Sequence, residues 1–207
     1  MWIYIIVFLG IVTIILSFLH VYVSVNSIVT RKIFHIVICL VSLYNTLLYK
    51  ENEVIFIIPC IFLFSVFIIK RCDLMPFMNR EKEEYGDMWL VIIIFISSVL
   101  VYLNIINEET IYIYFLILGF GDGVSGLTPI IFRNKTAIYN EKSLQGSVLF
   151  FVFSMAAIII FNDILFDIMF WKVLFLCLSS TLLELVSDKV SDNVLIYINV
   201  IVLSCIV

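Results

Sequence analysis

Charged residues are what this chain has least of. Asp, Glu, Lys and Arg make up 14% of its 207 residues, against 64% hydrophobic, and the mean hydropathy is +1.21. Soluble domains lie nearer half apolar, so a water-soluble fold is excluded and the chain reads as an integral membrane protein. The net charge of −4 says little, because charge in such a protein matters connection by connection. A disulfide or metal framework is also missing. Cys39, Cys60, Cys72, Cys177 and Cys205 include no C-x-x-C pair and four of them lie in apolar runs, which reads as small buried hydrophobes. The amino terminus shows no basic stretch before its apolar run and no small-residue cleavage site, so a retained first helix is expected rather than a removable signal. No internal repeat stands out, and no low-complexity tract beyond the isoleucine-rich runs themselves.

What is present is a series of apolar runs at 2–23, 33–49, 54–69, 88–106, 111–132, 148–161, 168–186 and 194–207. A spanning helix needs about 20 apolar residues, so these eight runs, several of them short, predict an all-α polytopic membrane protein of about eight transmembrane helices. Residues 1–207 form a single transmembrane domain in this reading. The long polar connection 70–87 mixes both signs and contains Pro76, which suits a solvated link without chemistry.

Basic residues set the orientation, since short connections rich in Lys and Arg stay in the cytoplasm. Ten of the twelve fall on connections one, three, five and seven, and only Lys50 and Lys172 on the even ones. The odd connections are therefore placed in the cytoplasm and both termini on the opposite side. Three polar islands far apart in sequence then share the cytoplasmic face.

The first centres on Asp122, between Gly121 and Gly123 inside the apolar run 111–132. An ionised carboxylate within a span costs at least about 2.5–3.5 kcal/mol on insertion scales, and is kept where it faces a polar cavity, a cation or a partner charge. Gly119, Gly121, Gly123 and Gly126 crowd into eight residues around it. Such glycines serve close helix packing or bring backbone N–H groups up to phosphate oxygens. The aspartate among them favours the second use, with a divalent cation bridging to a polyphosphate. Arg133, Lys135, Lys142, Ser143 and Ser147 follow, cations and hydroxyls of the kind that hold a transferring phosphoryl group. Arg133 and Lys135 read equally well as loop charge. Lys142 opens the run Lys-Ser-Leu-Gln-Gly-Ser at a helix entrance, where Gly146 and the two hydroxyls can present N-terminal amides to an anion.

The second island is Glu184 to Asn193. Asp188 and Lys189 read as a hydrophilic turn, whereas Glu184, Asp192 and Asn193 offer oxygens suited to magnesium. The third is Arg31-Lys32-Ile33-Phe34-His35. Arg31 and Lys32 mark topology or grip lipid phosphates, and His35 is either a satisfied buried histidine or a phosphate donor and base near neutral pH. His20 has no polar company and receives no role.

In this order and spacing the islands resemble the dolichol kinase, phytol kinase and CTP-dependent diacylglycerol kinase family, relatives of phosphatidate cytidylyltransferase. The resemblance covers roughly residues 31–193 and rests on Arg31-Lys32 with His35; Gly121-Asp122, Gly123 and Ser125; Lys142-Ser143 with Gly146-Ser147; and Glu184 with Asp192-Asn193. It implies a lipid kinase that moves a phosphoryl group from a nucleoside triphosphate, CTP by expectation, to a lipid alcohol held in the bilayer, with Mg2+ as cofactor and no nucleic-acid partner. Asp122, Lys142, Glu184 and His35 would carry the chemistry. Arg31, Lys32, Gly121, Gly123, Ser125, Gly126, Ser143, Gly146 and Ser147 would bind nucleotide phosphates, and Asp122, Asp192 and Asn193 the metal. Three departures are visible: Gln145 stands where the family has a glutamate, Thr128 or Pro129 stands where a glycine commonly follows the Gly-Asp element, and Phe132-Arg133-Asn134-Lys135 replaces its glycine-basic run. Rival readings are a CDP-lipid synthase like phosphatidate cytidylyltransferase, an ion-coupled transporter built on a glycine-broken helix, and a purely structural membrane protein. The long basic signature of true cytidylyltransferases is absent.

Overall fold

A computed structural model of the chain describes residues 10–13, 15, 26–72, 86–133, 136–139, 142–165, 168–187 and 192–206. Most of the expected first span, the centre of the 70–87 connection, Lys135, Asp188 and Lys189 lie outside the described residues.

The chain folds as a bundle of apolar helices. Helix α1, Ser27–Tyr49, starts where the Asn26 side chain accepts from the Ile28 N–H at 2.9 Å, the usual satisfaction of a helix's first donors. After a 3-10 turn, Glu53–Phe56, capped in the same way by Asn52, come α2, Ile57–Cys72, and α3, Gly86–Tyr102. Asn104, with φ of 53°, ends α3 in the left-handed conformation, and Ile105 N–H donates back to the Leu100 carbonyl at 2.9 Å. This is the Schellman closure, which asparagine tolerates better than most residues.

Helix α4, Glu108–Leu116, begins at an Asn107 cap with Glu108 and Glu109 in its first turn, where acidic groups meet the positive end of the helix dipole. It runs on through a π turn, Ile117–Asp122, and two short helices, α5 Gly123–Ser125 and α6 Thr128–Ile131. A two-stranded antiparallel ribbon comes next, β1 Ala137–Tyr139 and β2 Lys142–Ser143. Three helices complete the fold: α7 Leu144–Leu165, α8 Phe170–Val186 and α9 Asp192–Ile206.

Among the described residues three stretches are long and apolar enough to cross a membrane: Ser27–Tyr49, Glu108–Ile131 and Leu144–Asn162. Shorter apolar helices occupy Glu53–Ile69, Met88–Tyr102 and Asp192–Ser204. From the second apolar run onward the expected runs coincide with helices, and most of the first run lies outside the described residues. The Glu108–Ile131 stretch is the axis of the bundle, 72% buried against 44% and 28% for the other two. Tyr114, Leu116, Ile117 and Leu118 within it are fully enclosed. It packs on α1, α7 and α9, while Phe64, Phe67, Ile160, Trp171 and Leu182 point outward, as lipid-facing side chains do.

Two local features differ from a plain reading of the sequence. The ribbon was not expected; pairing two extended segments satisfies the backbone groups of a connection between helices. The glycines around Asp122 do not break the helix, since no described glycine has positive φ; the chain instead widens into the π turn. Ser154 of α7 donates to the Ile117 carbonyl at 3.5 Å, and the His35 ring lies 3.3 Å from the Leu118 carbonyl, so both neighbours engage carbonyls of the widened turn. Gly119 and Gly121 permit this approach. A β-carbon at 119 would stand 2.9 Å from Cys39 Cβ, and one at 121 would overlap Ser154 Oγ and lie 3.2 Å from the Phe150 ring.

Gly121→Ala should therefore push α7 off the axis and cost about 1–3 kcal/mol, measured as a lower thermal midpoint in detergent. Gly10→Ala, in a helical residue with nothing within 4 Å of the added carbon, should not lower that midpoint.

Candidate functional site

Lys32 and His35 lie three residues apart on α1 and so share one helix face. Both reach Asp122, the last residue of the π turn. Lys32 Nζ sits 2.8 Å from Oδ1 and 2.8 Å from Oδ2, and His35 Nε2 sits 3.3 Å from Oδ2. The Lys32, His35 and Asp122 side chains are 12%, 8% and 15% exposed, which makes this a nearly enclosed cluster. Nε2 of His35 faces two acceptors, the Asp122 carboxylate and the Leu118 carbonyl. A proton on that nitrogen satisfies both neighbours, so the imidazole acts there as a donor.

A second cluster gathers around Lys142, at the start of β2. Its ammonium lies 2.7 Å from Glu184 Oε1, donates to the Glu184 backbone carbonyl and lies 3.7 Å from Asp192 Oδ2. Lys142 thus ties the ribbon to the end of α8 and the start of α9. Asp192 also accepts from the Asn193 N–H at 2.8 Å, and the Tyr114 hydroxyl reaches the Asn193 carbonyl at 3.5 Å. The two clusters lie on neighbouring elements, since α1, α7 and α9 all pack on the axial stretch.

The start of α7 closes the site. Ser143 accepts from the Gly146 N–H at 3.2 Å, a helix N-cap bond, and Ser147 donates to the Ser143 carbonyl at 3.4 Å. Ser125 donates to the Asp122 carbonyl at 3.2 Å, and Thr128 to the Ser125 carbonyl. A β-carbon at Gly146 would stand 3.3 Å from Ser143 Oγ and 3.4 Å from Thr128 Oγ1, so these hydroxyls line the gap between α5–α6 and α7. Gln145 turns the other way. It accepts from the Thr136 N–H at 3.1 Å and fastens the start of the ribbon to α7.

Of the residues singled out in the sequence as catalytic, phosphate-binding or metal-binding, all but Lys135 are among those described. Lys32, His35 and Asp122 meet directly, as do Lys142, Glu184 and Asp192, with Asn193 adjoining. Arg31 lies on the flank, lining a narrow recess with Phe34, His35, Ile38, Val66 and Leu90. The glycines act differently from a phosphate cradle in this arrangement. The Gly123 N–H is bonded to the Phe120 carbonyl and the Gly126 N–H to that of Asp122, while the faces of Gly121 and Gly123 are filled by Ser154 and Ile36. Sequence reasoning missed Ser154, Thr128 and Tyr114. Ser154 carried a signal, a hydroxyl inside an apolar span; a tyrosine in an aromatic-rich run carried none.

Among the described residues, no three His, Cys, Asp or Glu side chains gather in a way that could hold a metal ion. A resident ion bound by protein side chains alone is therefore not what the described residues provide. A cation carried in with a polyphosphate asks for less, because magnesium takes one or two carboxylates plus substrate oxygens and water. Of the residues expected to take that smaller role, Asp122 is paired with Lys32 and His35, and Asp192 lies 3.7 Å from Lys142 with Asn193 beside it. No family model matches this chain, and neither a curated protein nor a solved structure matches it.

The burial of the Lys142 cluster sets up a stability test. Lys142→Met leaves the Glu184 carboxylate enclosed without its cation and should cost about 3–5 kcal/mol. Adding Glu184→Leu should recover most of that loss, both changes being read from unfolding midpoints in detergent.

Proposed function

We propose that this protein is a membrane lipid kinase that transfers a phosphoryl group from a nucleoside triphosphate, CTP by preference, to the hydroxyl of a lipid alcohol at the cytoplasmic end of the bundle. One observation carries the reading. Lys32, Asp122, Lys142, Glu184 and Asp192, drawn from all three polar islands, form two nearly enclosed ion-pair clusters, Lys32 with Asp122 and Lys142 with Glu184 and Asp192, among helices that are otherwise apolar. Buried ion pairs are weak evidence for stability, so five enclosed charges inside such a bundle call for a use. The excess of basic residues on the odd connections supports the cytoplasmic orientation.

Phosphoryl transfer asks a protein mainly for alignment and charge stabilisation. Lys32 and Lys142 are ammonium groups held in place by the carboxylates they pair with, suited to the charge that develops on transferring oxygens. Magnesium arriving with the nucleotide would be held by Asp122 and Asp192, with Asn193 beside them, and would supply neutralisation of the phosphate charge. His35 donates towards Asp122 through Nε2 and orients that carboxylate. Of the two candidate proton acceptors, the site therefore favours Glu184, whose carboxylate has a second oxygen beyond the one facing Lys142. The Ser143 and Ser147 hydroxyls and the first turn of α7 follow Lys142 in the chain as further phosphate partners. The acceptor's tail remains among the lipid-facing helices while its hydroxyl reaches the charged end.

The test is transfer of label from γ-labelled CTP or ATP to phytol-like, polyprenol and diacylglycerol acceptors by purified protein. Labelled lipid phosphate is expected, and Asp122→Asn should abolish it while leaving membrane insertion intact. A CDP-lipid formed from CTP labelled in its α-phosphate would instead make the protein a cytidylyltransferase, and absence of any product would return the transporter reading. An active Asp122→Asn enzyme would refute the role of the carboxylate.

A further inference from the structure

Gly126 follows the short helix α5 with φ of −66° and ψ of −13°, a right-handed conformation open to any residue. Its N–H is bonded to the Asp122 carbonyl at 3.1 Å. The backbone gives no reason for a glycine here, where an alanine would ordinarily be worth about 0.5–1 kcal/mol more. The reason is the space beside it. A β-carbon at 126 would overlap Cε of Lys32 and lie 2.9 Å from its Cδ and 2.7 Å from its Nζ. The Lys32 side chain runs across the bare face of residue 126 to set its ammonium 2.8 Å from each oxygen of Asp122.

We infer that Gly126 is a positioning residue: its missing side chain is the notch through which the Lys32 arm reaches Asp122. The other glycines of the segment are of a different kind, because Gly119 and Gly123 face Cys39 and Ile36, contacts of packing alone. The consequence for catalysis rests on the lipid kinase reading. The geometric claim does not, and it is tested without it.

The experiment is a double-mutant cycle on the full chain in detergent, with Gly126→Ala, Lys32→Ala and the pair, read as thermal midpoints. Gly126→Ala alone should lower the midpoint by at least about 2 °C, the shift of a modest destabilisation in a chain of this size. In the Lys32→Ala protein the same change should cost nothing, since the new methyl enters space that the arm has left. Gly123→Ala serves as control and should cost as much with Lys32 present as without it. If Lys32→Ala does not fold because Asp122 is left enclosed without its cation, Lys32→Ala/Asp122→Asn becomes the parent, on which Gly126→Ala should again be silent. Additive effects of positions 126 and 32, or a Gly126→Ala protein as stable as the native chain, would overturn the inference. Transfer assays on the same variants separate the two claims. Coupling in the midpoints without lipid phosphate from any variant leaves the notch standing and removes the kinase. Lipid phosphate from a Gly126→Ala enzyme at the native rate, with additive midpoints, does the reverse.

Discussion

The ammonium of Lys32, equidistant from the two oxygens of Asp122, is the contact on which the rest of this structure depends. It joins residues ninety positions apart in a setting where each ion, taken out of water, costs several kcal/mol. The pair forms only if three independent conditions hold. The first turns of α1 must bring Lys32 and His35 to the axial helix on one face. The axial helix must turn Asp122 towards them rather than towards lipid, and the π turn does this, since one extra residue in a turn rotates the later part of the helix by about 100°. Residue 126 must leave the lysine room to pass. At the opposite end of the same two helices Lys50 pairs with Glu108, so α1 and the axial stretch are tied antiparallel at both ends. That outer pair is more exposed and accordingly weaker.

Beside the inner pair a second lysine holds two more carboxylates, Lys142 with Glu184 and Asp192. The two lysines come from different elements, so no single helix movement disperses both clusters. Under the lipid kinase reading this balance has a chemical sense. A bare polyphosphate would meet an excess of negative side chains, whereas one that brings its own divalent cation offers the carboxylates a partner and releases the lysines towards phosphate oxygens. The polar gap between α5–α6 and the start of α7, lined by Ser125, Thr128, Ser143 and Ser147, lies beside both lysines and gives such a group hydroxyl neighbours.

Much of this was legible in the sequence, for a physical reason. A charge inside an apolar run is expensive enough that it advertises itself, and Asp122 and Glu184 stand out on that ground, while Lys142 stands out by its place at a helix entrance. Their company could be inferred from charge bias, which placed the three islands at one end. Which partner each charge takes was not legible. The sequence suggested a metal for Asp122, while the structure brings Lys32 and His35 to it, because the direction of that side chain is set by a π turn whose cause is packing against α1 and α7 rather than local propensity. The glycines show the same limit. Their clustering was visible, but whether each made room for a ligand, a helix or a lysine depends on neighbours from distant segments. Short helices such as α2 and α3 were foreseeable as apolar runs, yet their lengths fall below those of the three stretches that fit a bilayer directly, and composition alone does not fix how many cross.

The most direct test of the central contact is a distance measured in lipid bilayers. With lysine side chains labelled with nitrogen-15 at Nζ and aspartate with carbon-13 at Cγ, magic-angle-spinning dipolar recoupling should reveal one strongly coupled pair that vanishes in Lys32→Met and in Asp122→Asn, at the separation expected of an ammonium 2.8 Å from both oxygens. A spectrum in which Asp122 shows no short nitrogen contact, or keeps it unchanged in Lys32→Met, would contradict the account.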